Sequence, residues 1–497
     1  MTVHLSILLA LPAAGGALGA LAGGRAARWW GLAGSLLALA YAIVALVRFH
    51  AGDGQQFMTD DMWISAIGVH WKLAIDGLNL GLVVLSTGIF SACTLWATSH
   101  DWDNPGLFYF WLGLAHSSVL GALLAQDLLV FVIFFDLMLV PFLFLAGIWS
   151  PTPRADRIRA ILKLFVYTLV GSLLMLAAAI ATAVLNARGG NAISFAFSDL
   201  SGTALSKGSQ EWIFLFFAAA FLIKMPAFPF HGWMPDGYVN MPMPVVAVFS
   251  AVLSKVAAYG FLQIALPLFP QGSQHFQMLL LLIGLASILY GSAMAFTTTN
   301  TRLVLGYSSM AQLGFIVLGI FSLDARGAQG ALLQAFNHGL VVAPAFFLVA
   351  LAAARSGGSE DLRDMGGIAF RAPLMATVFL IVALANLAMP GTSNFAGEFL
   401  ILLGVFKAKI AIALIASVGV VLASAYSLRL LIRAMHNRVG PKVASHEISL
   451  RDGLVAVPLV LAIVAIALYP QFALHRSEPA VDGSLSTLPV AVAEAGR

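Results

Sequence analysis

Runs of about twenty apolar residues follow one another along almost the whole chain, separated by short polar or basic links. A run of that length crosses the hydrocarbon of a bilayer as one helix. Of the 497 residues, 60% are hydrophobic and only 10% charged, against the roughly 25% charge of a soluble domain. The reading is an all-α integral membrane protein with about fourteen spans, near 3–22, 28–49, 77–99, 106–124, 127–149, 160–184, 211–231, 243–266, 276–297, 301–322, 327–354, 372–404, 409–433 and 451–470. The first run has no basic segment before it and reads as a retained span rather than a cleaved signal.

The links hold no segment large enough to fold alone. The longest are 50–76, 185–210 and the tail after Leu468. Residues 185–210 read as a loop with a short amphipathic turn at Ile193 to Leu200, and the tail as poorly ordered. Loops after odd-numbered spans carry Arg25 and Arg28, then Arg154, Arg157 and Arg159, then Arg355, Arg363 and Arg371, and then Arg438, Lys442 and Arg451. Loops after even-numbered spans are sparser, with Lys72, Arg188, Lys207 and Arg326. The positive-inside bias then places both termini outside the cytoplasm.

Several classes are excluded. The single Cys93 rules out disulfides, iron–sulfur clusters and zinc fingers within the chain. No phosphate-binding glycine loop or dinucleotide fingerprint is found. The net charge of +4 lies in loops without a cluster for nucleic acid. Energy must come from an ion gradient or a partner.

Charges inside the spans are the informative exceptions. Lys224 lies in FLFFAAAFLIKMPAFPFHGWMP (214–235), Lys255 in the next run, and Asp136 and Glu398 in two others. An ionisable group at bilayer depth is costly and marks a functional site by default. Desolvation and neighbouring charge can be balanced so that such a group binds and releases a proton at little cost. Asp136, about ten residues into its span, needs a cationic partner, for which Lys224 is the natural choice. The alternative is an ion pair that only locks two helices. His338, central in its span, joins the set because imidazole titrates near neutrality.

Asp127 reads as a helix cap, His116 as a packed polar contact, and His231 as a residue shaping the break or a water path. Lys163, Lys407 and Lys409 read as residues near helix ends that snorkel to headgroups.

Two spans are broken beside a charge. Pro226 and Pro229 bracket Lys224's exit and lack backbone donors. Pro390, Gly391 and Gly397 precede Glu398. Paired interruptions in corresponding places point to inverted repeats. Residues 1–105 then hold three leading helices, 106–266 repeat one (helices 4–8), 276–433 repeat two (helices 9–13), and 450–497 the last helix and tail.

The stretches FFDLMLVP (134–141), KLFVYTLVGSLLML (163–176), AFLIKMPAFPFHGWMPD (220–236), LSKVAAYG (253–260), YSSMAQLGF (307–315), DLRDMGG (361–367) and GTSNFAGEF (391–399) resemble the antiporter-like subunits of proton-pumping NADH:quinone oxidoreductase, respiratory complex I. The match covers nearly the whole chain and is nearest to the M-type. The resemblance implies a proton relay of Asp136, Lys224, Lys255, His338 and Glu398, the glutamate being the M-type mark where L- and N-type subunits tend to carry lysine. It also implies a bacterial inner-membrane location and L-like and N-like neighbours. NADH, flavin, iron–sulfur and quinone chemistry would lie in partner subunits, with no cofactor in this chain. Three positions depart from the pattern: Asp136 stands where glutamate is usual, and Tyr238 and Gln312 where histidine is common. Other readings are a subunit of a multisubunit cation/proton antiporter or membrane-bound hydrogenase, or a membrane scaffold that conducts nothing.

Overall fold

Leucine-, alanine- and phenylalanine-rich runs satisfy their backbone internally, and they fold here as long helices. The computed structural model describes residues 4–188, 190, 192–201, 205–440, 442–444 and 446–488. Among these residues, twelve helices are long and apolar enough to cross a membrane. They are α1 (Leu5–Ala22), α2 (Ala26–Arg48), α3 (Leu80–Ala97), α4 (Pro105–Leu124), α5 (Leu128–Ile148), α6 (Arg154–Arg188), α9 (Met243–Leu268), α10 (Gln277–Thr297), α11 (Thr301–Phe321), α12 (Ala325–Arg355), α15 (Ile410–Met435) and α16 (Leu450–Leu468). Two further segments are interrupted. In the first, α7 (Lys207–Lys224) stops at Lys224 and the chain resumes in a short turn and α8 (Met234–Asn240). In the second, α13 (Pro373–Asn386) and α14 (Ser393–Ala408) flank the unwound residues 387–392.

The breaks follow from local chemistry. Proline cannot donate to the helix ladder. After Lys224 the carbonyl of Leu222 accepts from Ala227, a wider turn than the helix makes. In the second break Ala388 and Gly391 both take positive φ, 54° and 93°. Only glycine does so without strain, so Gly391 suits that bend.

Helices α9, α11 and α12 form the centre and are buried almost along their whole length. On α6, Leu162, Val166, Val170 and Leu173 face outward, and on α15 so do Leu414, Val418 and Val421. Apolar stripes with helical spacing on the outside match hydrocarbon, not water.

The all-α expectation needs one correction. Within 50–76, β1 (Gln56–Ile64) and β2 (Val69–Ile75) pair antiparallel, with Asp60 opposite Lys72 and Met62 opposite His70. In β2 apolar and polar residues alternate from Val69 to Leu73, a period of two that a search for helical runs passes over; β1 has no such alternation. The Asp60 carboxylate contacts His70 at 2.7 Å and Lys72 at 3.2 Å. Its partial burial works against the charge, but those two partners outweigh it and hold the carboxyl below the usual range. The hairpin is stitched to the start of α5, where Asp127 Oδ2 accepts from the His70 N–H. Asp127 Oδ1 meanwhile caps α5 through the N–H groups of Leu129 and Val130.

The tail also differs from expectation. Residues Gln471–Leu485 form α17, which buries Ser477, Val481 and Ser484. The Gln329 amide donates to its Leu474 carbonyl at 2.8 Å. Residues 489–497 lie outside the described residues. In 185–210 the expected short turn is a helix at Phe197–Leu200.

Candidate functional site

Lys224 is the last residue of α7, where the helix has run out of amide donors and its end faces the interior. It is buried, and its Nζ donates to the Phe135 carbonyl at 3.2 Å. The same nitrogen lies 4.6 Å from the centre of the Phe135 ring. Asp136 is the next residue, within electrostatic reach of Lys224. No direct ion pair joins the two among the described residues, and the partnership acts through space. Ser172, on α6, instead donates to Asp136 Oδ1 at 2.5 Å. The short aspartate side chain is held by the nearer hydroxyl. Lys224 and Ser172 line one narrow gap with Phe135, Thr168, Ala220 and Ile223.

Lys255 owes its place to a defect in its helix. Two π-helical turns, Phe249–Leu253 and Phe261–Ala265, bracket the regular residues Ser254–Gly260. Such turns displace carbonyls from the i→i−4 ladder and recur at functional sites. Lys255 Nζ donates to the Ser250 carbonyl at 2.8 Å. The Ser250 hydroxyl lies 3.3 Å from that of Ser309, linking α9 to α11.

His338 is fully buried on α12, and neither ring nitrogen has a hydrogen-bond partner among the described residues. It lies within electrostatic reach of Lys255. Its neighbour Gly339 permits the approach: a Cβ there would stand 2.6 Å from the Ala251 carbonyl, inside the first π-turn.

Glu398 is buried in α14, where its Oε1 accepts from Gln312 Nε2 at 2.6 Å. Gln312 Oε1 in turn accepts from Gln334 Nε2 at 2.7 Å. Three elements, α11, α12 and α14, are thus joined through one carboxylate and two amides. Asn337 adds a bond to the Ser393 carbonyl at 2.6 Å. Both polar atoms of the Asn394 amide are buried without a hydrogen-bond partner among the described residues. The sequence reading missed Gln334, Asn337 and Asn394. Amides inside apolar runs were the available signal, because lipid offers them no partner.

Other residues take plainer positions. His116 stacks on Phe90 at 4.3 Å. His231, half-buried in the first break, packs against Tyr290. Tyr238 is packed among the rings of Trp233, Phe249 and Phe346. Lys163 and Lys407, expected to reach headgroups, are instead in ion pairs with Asp236 at 2.9 Å and Asp324 at 3.2 Å. A carboxylate one hydrogen bond away competes well with a distant lipid head. Among the described residues no group of His, Cys, Asp or Glu is placed to hold a metal.

Lys224, Lys255 and Glu398 therefore share a property: each is hydrogen-bonded to a neutral dipole. Lys224 has a carbonyl and a ring, Lys255 a carbonyl, Glu398 an amide. Such a group can change its charge without tearing an ion pair apart.

The chain is similar to known membrane proteins in sequence and in structure. A family described as NADH:quinone oxidoreductase/Mrp antiporter, transmembrane, matches residues 125–423. The chain is 35% identical to NADH-quinone oxidoreductase subunit M of Escherichia coli K12 over 429 residues, 85% of this chain and 84% of that one. It is 32% identical to subunit M of Rhodobacter capsulatus over 494 residues, 96% and 95% of the two. In structure it is similar to a chain of respiratory complex I from Thermus thermophilus, solved with bound NADH. That likeness has a TM-score of 0.90 at 30% identity and covers 98% of this chain and 100% of the other.

Proposed function

The chain belongs to the NADH:quinone oxidoreductase/Mrp antiporter membrane family, and from that premise we infer that it is the proton-translocating M-type subunit in the membrane arm of a complex I. Electron transfer from NADH to quinone takes place in partner subunits, which hold the flavin and the iron–sulfur clusters. L-like and N-like subunits flank this one in a bacterial inner membrane, with both termini outside the cytoplasm. The two interrupted segments count as spans, giving fourteen, and 106–266 and 276–433 are inverted repeats.

Protons pass along Lys224, Lys255, His338 and Glu398, with Asp136 setting the charge balance at the first lysine. The observation that carries this reading is the burial of these four groups with no direct ion pair to any of them among the described residues. A proton on one is felt by the next: two unit charges about 10 Å apart at an effective dielectric near 20 interact by about 1.7 kcal/mol. That is more than a tenfold change in occupancy. Charge arriving at one end thus drives protons forward without any covalent step. A change at the neighbouring subunit resets the Asp136 end in the same way.

Replacing Lys224 with alanine in the assembled complex tests the relay. Proton pumping per NADH oxidised is expected to collapse while the complex still assembles. Unchanged pumping in an intact complex would sink it.

A further inference from the structure

Each broken segment leaves a downstream half attached to its upstream half only by unwound chain, so something else must hold it. The two halves are held in the same manner, with charges exchanged. On α8, Asp236 Oδ2 accepts from Lys163 Nζ at 2.9 Å, the lysine coming from the unbroken α6. On α14, Lys407 Nζ donates at 3.2 Å to Oδ2 of Asp324, the residue that caps the unbroken α12.

A glycine contact backs each pair one turn away. Beside the first, a Cβ on Gly232 would stand 2.6 Å from the Tyr167 hydroxyl of α6. Beside the second, a Cβ on Gly404 would stand 2.5 Å from Gly327 Cα of α12.

The pairs lie at opposite ends of the membrane slab. Arg302, at the start of α11, donates to the Tyr238 and Met241 carbonyls at the end of α8. Asp324 follows the far end of α11, a helix of 21 residues and so about 30 Å long. Each pair also holds the broken segment that carries a relay group. The Lys163 charge reaches His231 in the first break, just beyond Lys224. Lys407 shares α14 with Glu398, about 14 Å along the axis. All four side chains keep some exposure, from 9% for Asp324 to 43% for Asp236. They stand at the edge of the slab, where water can compete and a pair can open.

We propose that Lys163–Asp236 and Asp324–Lys407 are positioning clamps of opposite polarity, one at each membrane face, that set how far the broken segments open towards Lys224 and Glu398. The proposal rests on the relay reading for its consequence but not for its geometry, and the test separates the two. In the assembled complex, the first break is read by the labelling rate of a thiol introduced by His231→Cys, with Cys93→Ser to remove this chain's native one. Pumping per NADH is read in parallel in variants that retain His231.

The single reversals Lys163→Asp and Asp236→Lys are expected to raise labelling several-fold and lower pumping several-fold. The double exchange is expected to bring both back towards the parent. Asp324→Lys, Lys407→Asp and their exchange should show the same pattern in pumping. If a reversal prevents assembly, the neutral Lys163→Met is expected to show the rise in labelling instead. Unchanged labelling in the single variants, or an exchange as impaired as they are, overturns the clamp. Intact pumping in Lys224→Ala overturns the relay while leaving the labelling result to stand.

Discussion

At the scale of single residues, Gln312 changes its meaning. It first stands out as an amide where histidine is common, yet it is the donor to Glu398 and the acceptor for Gln334. Gln312→Leu removes a hydrogen bond to a buried ionisable group, worth about 1.5–3 kcal/mol. Pumping per NADH in inverted vesicles should fall by roughly tenfold or more on that scale. Gln312→His should retain most of it, since imidazole can donate from the same place. Asp136→Glu adds one methylene, about 1.5 Å, which lets the carboxylate reach past Ser172 towards Lys224. A rise in pumping is expected, and a fall would show that the Ser172 bond is the one that matters. Outside the spans, the Arg363 hydrogen bond holds the Asp361 carboxyl down to about 2. Because the folded value is depressed, this contribution is present in full above the ordinary value of 3.8 and is lost as pH falls through about 2. Hydrogen exchange in loop 359–367 should therefore stay slow at pH 4 and quicken near pH 2, with Arg363→Gln abolishing the step.

At the scale of elements, the sequence is legible where one residue type forces the outcome. Pro226, Pro229 and Pro390 cannot serve the ladder, so both interruptions can be read beside Lys224 and Glu398. Apolar length gives the long helices. The π-turns of α9 are not legible, because FSAVL and FLQIA are ordinary helix formers, and the packing of the first turn against α12 and α3 and of the second against α7 and α17 is not written in them. The hairpin stays hidden because only β2 alternates, and α17 because its partner α12 lies far away in sequence. The partnership of Asp136 with Lys224 is legible because both charges sit at mid-span, whereas the Ser172 bond to Asp136 comes from a third helix and cannot be placed from chain order. Gly339 tests whether the π-turn positions His338. Gly339→Ala pushes a methyl group to within 2.6 Å of the Ala251 carbonyl and of the Leu85 side chain. Backbone cannot yield as a side-chain tip can, so about 1–3 kcal/mol of overpacking is expected. Lower thermal stability of the purified complex together with reduced pumping would bear this out. Unchanged values of both would show that α12 has slack there.

At the scale of the whole molecule, the buried polar groups run through α7, α9, α11, α12 and α14, while outer helices meet lipid with leucine and valine. The proposed relay keeps moving charge in the centre, where dipoles replace water. A group with no part in that relay also ties the two halves together. Arg302 is buried at the start of α11 and forms a two-point pair with Glu360, Nη2 to Oε1 at 2.5 Å and Nε to Oε2 at 3.1 Å. It also donates to the Tyr238 and Met241 carbonyls at the end of α8. One guanidinium thus ties 230–240, α11 and the 356–372 loop together. Removing one partner of a buried pair leaves an uncompensated charge and costs about 3–5 kcal/mol. Arg302→Met should accordingly lower the amount of assembled subunit and its melting temperature the most. It strands both the Glu360 carboxylate and two carbonyls. Glu360→Gln should cost less, because the amide oxygen still accepts from the guanidinium. Arg302→Met with Glu360→Met should recover part of the loss, since no bare carboxylate remains, but not all of it, since the two carbonyls stay without a donor. A double variant as unstable as the sum of the singles would mean that the two residues act independently. The tie would then reside in the carbonyl contacts alone.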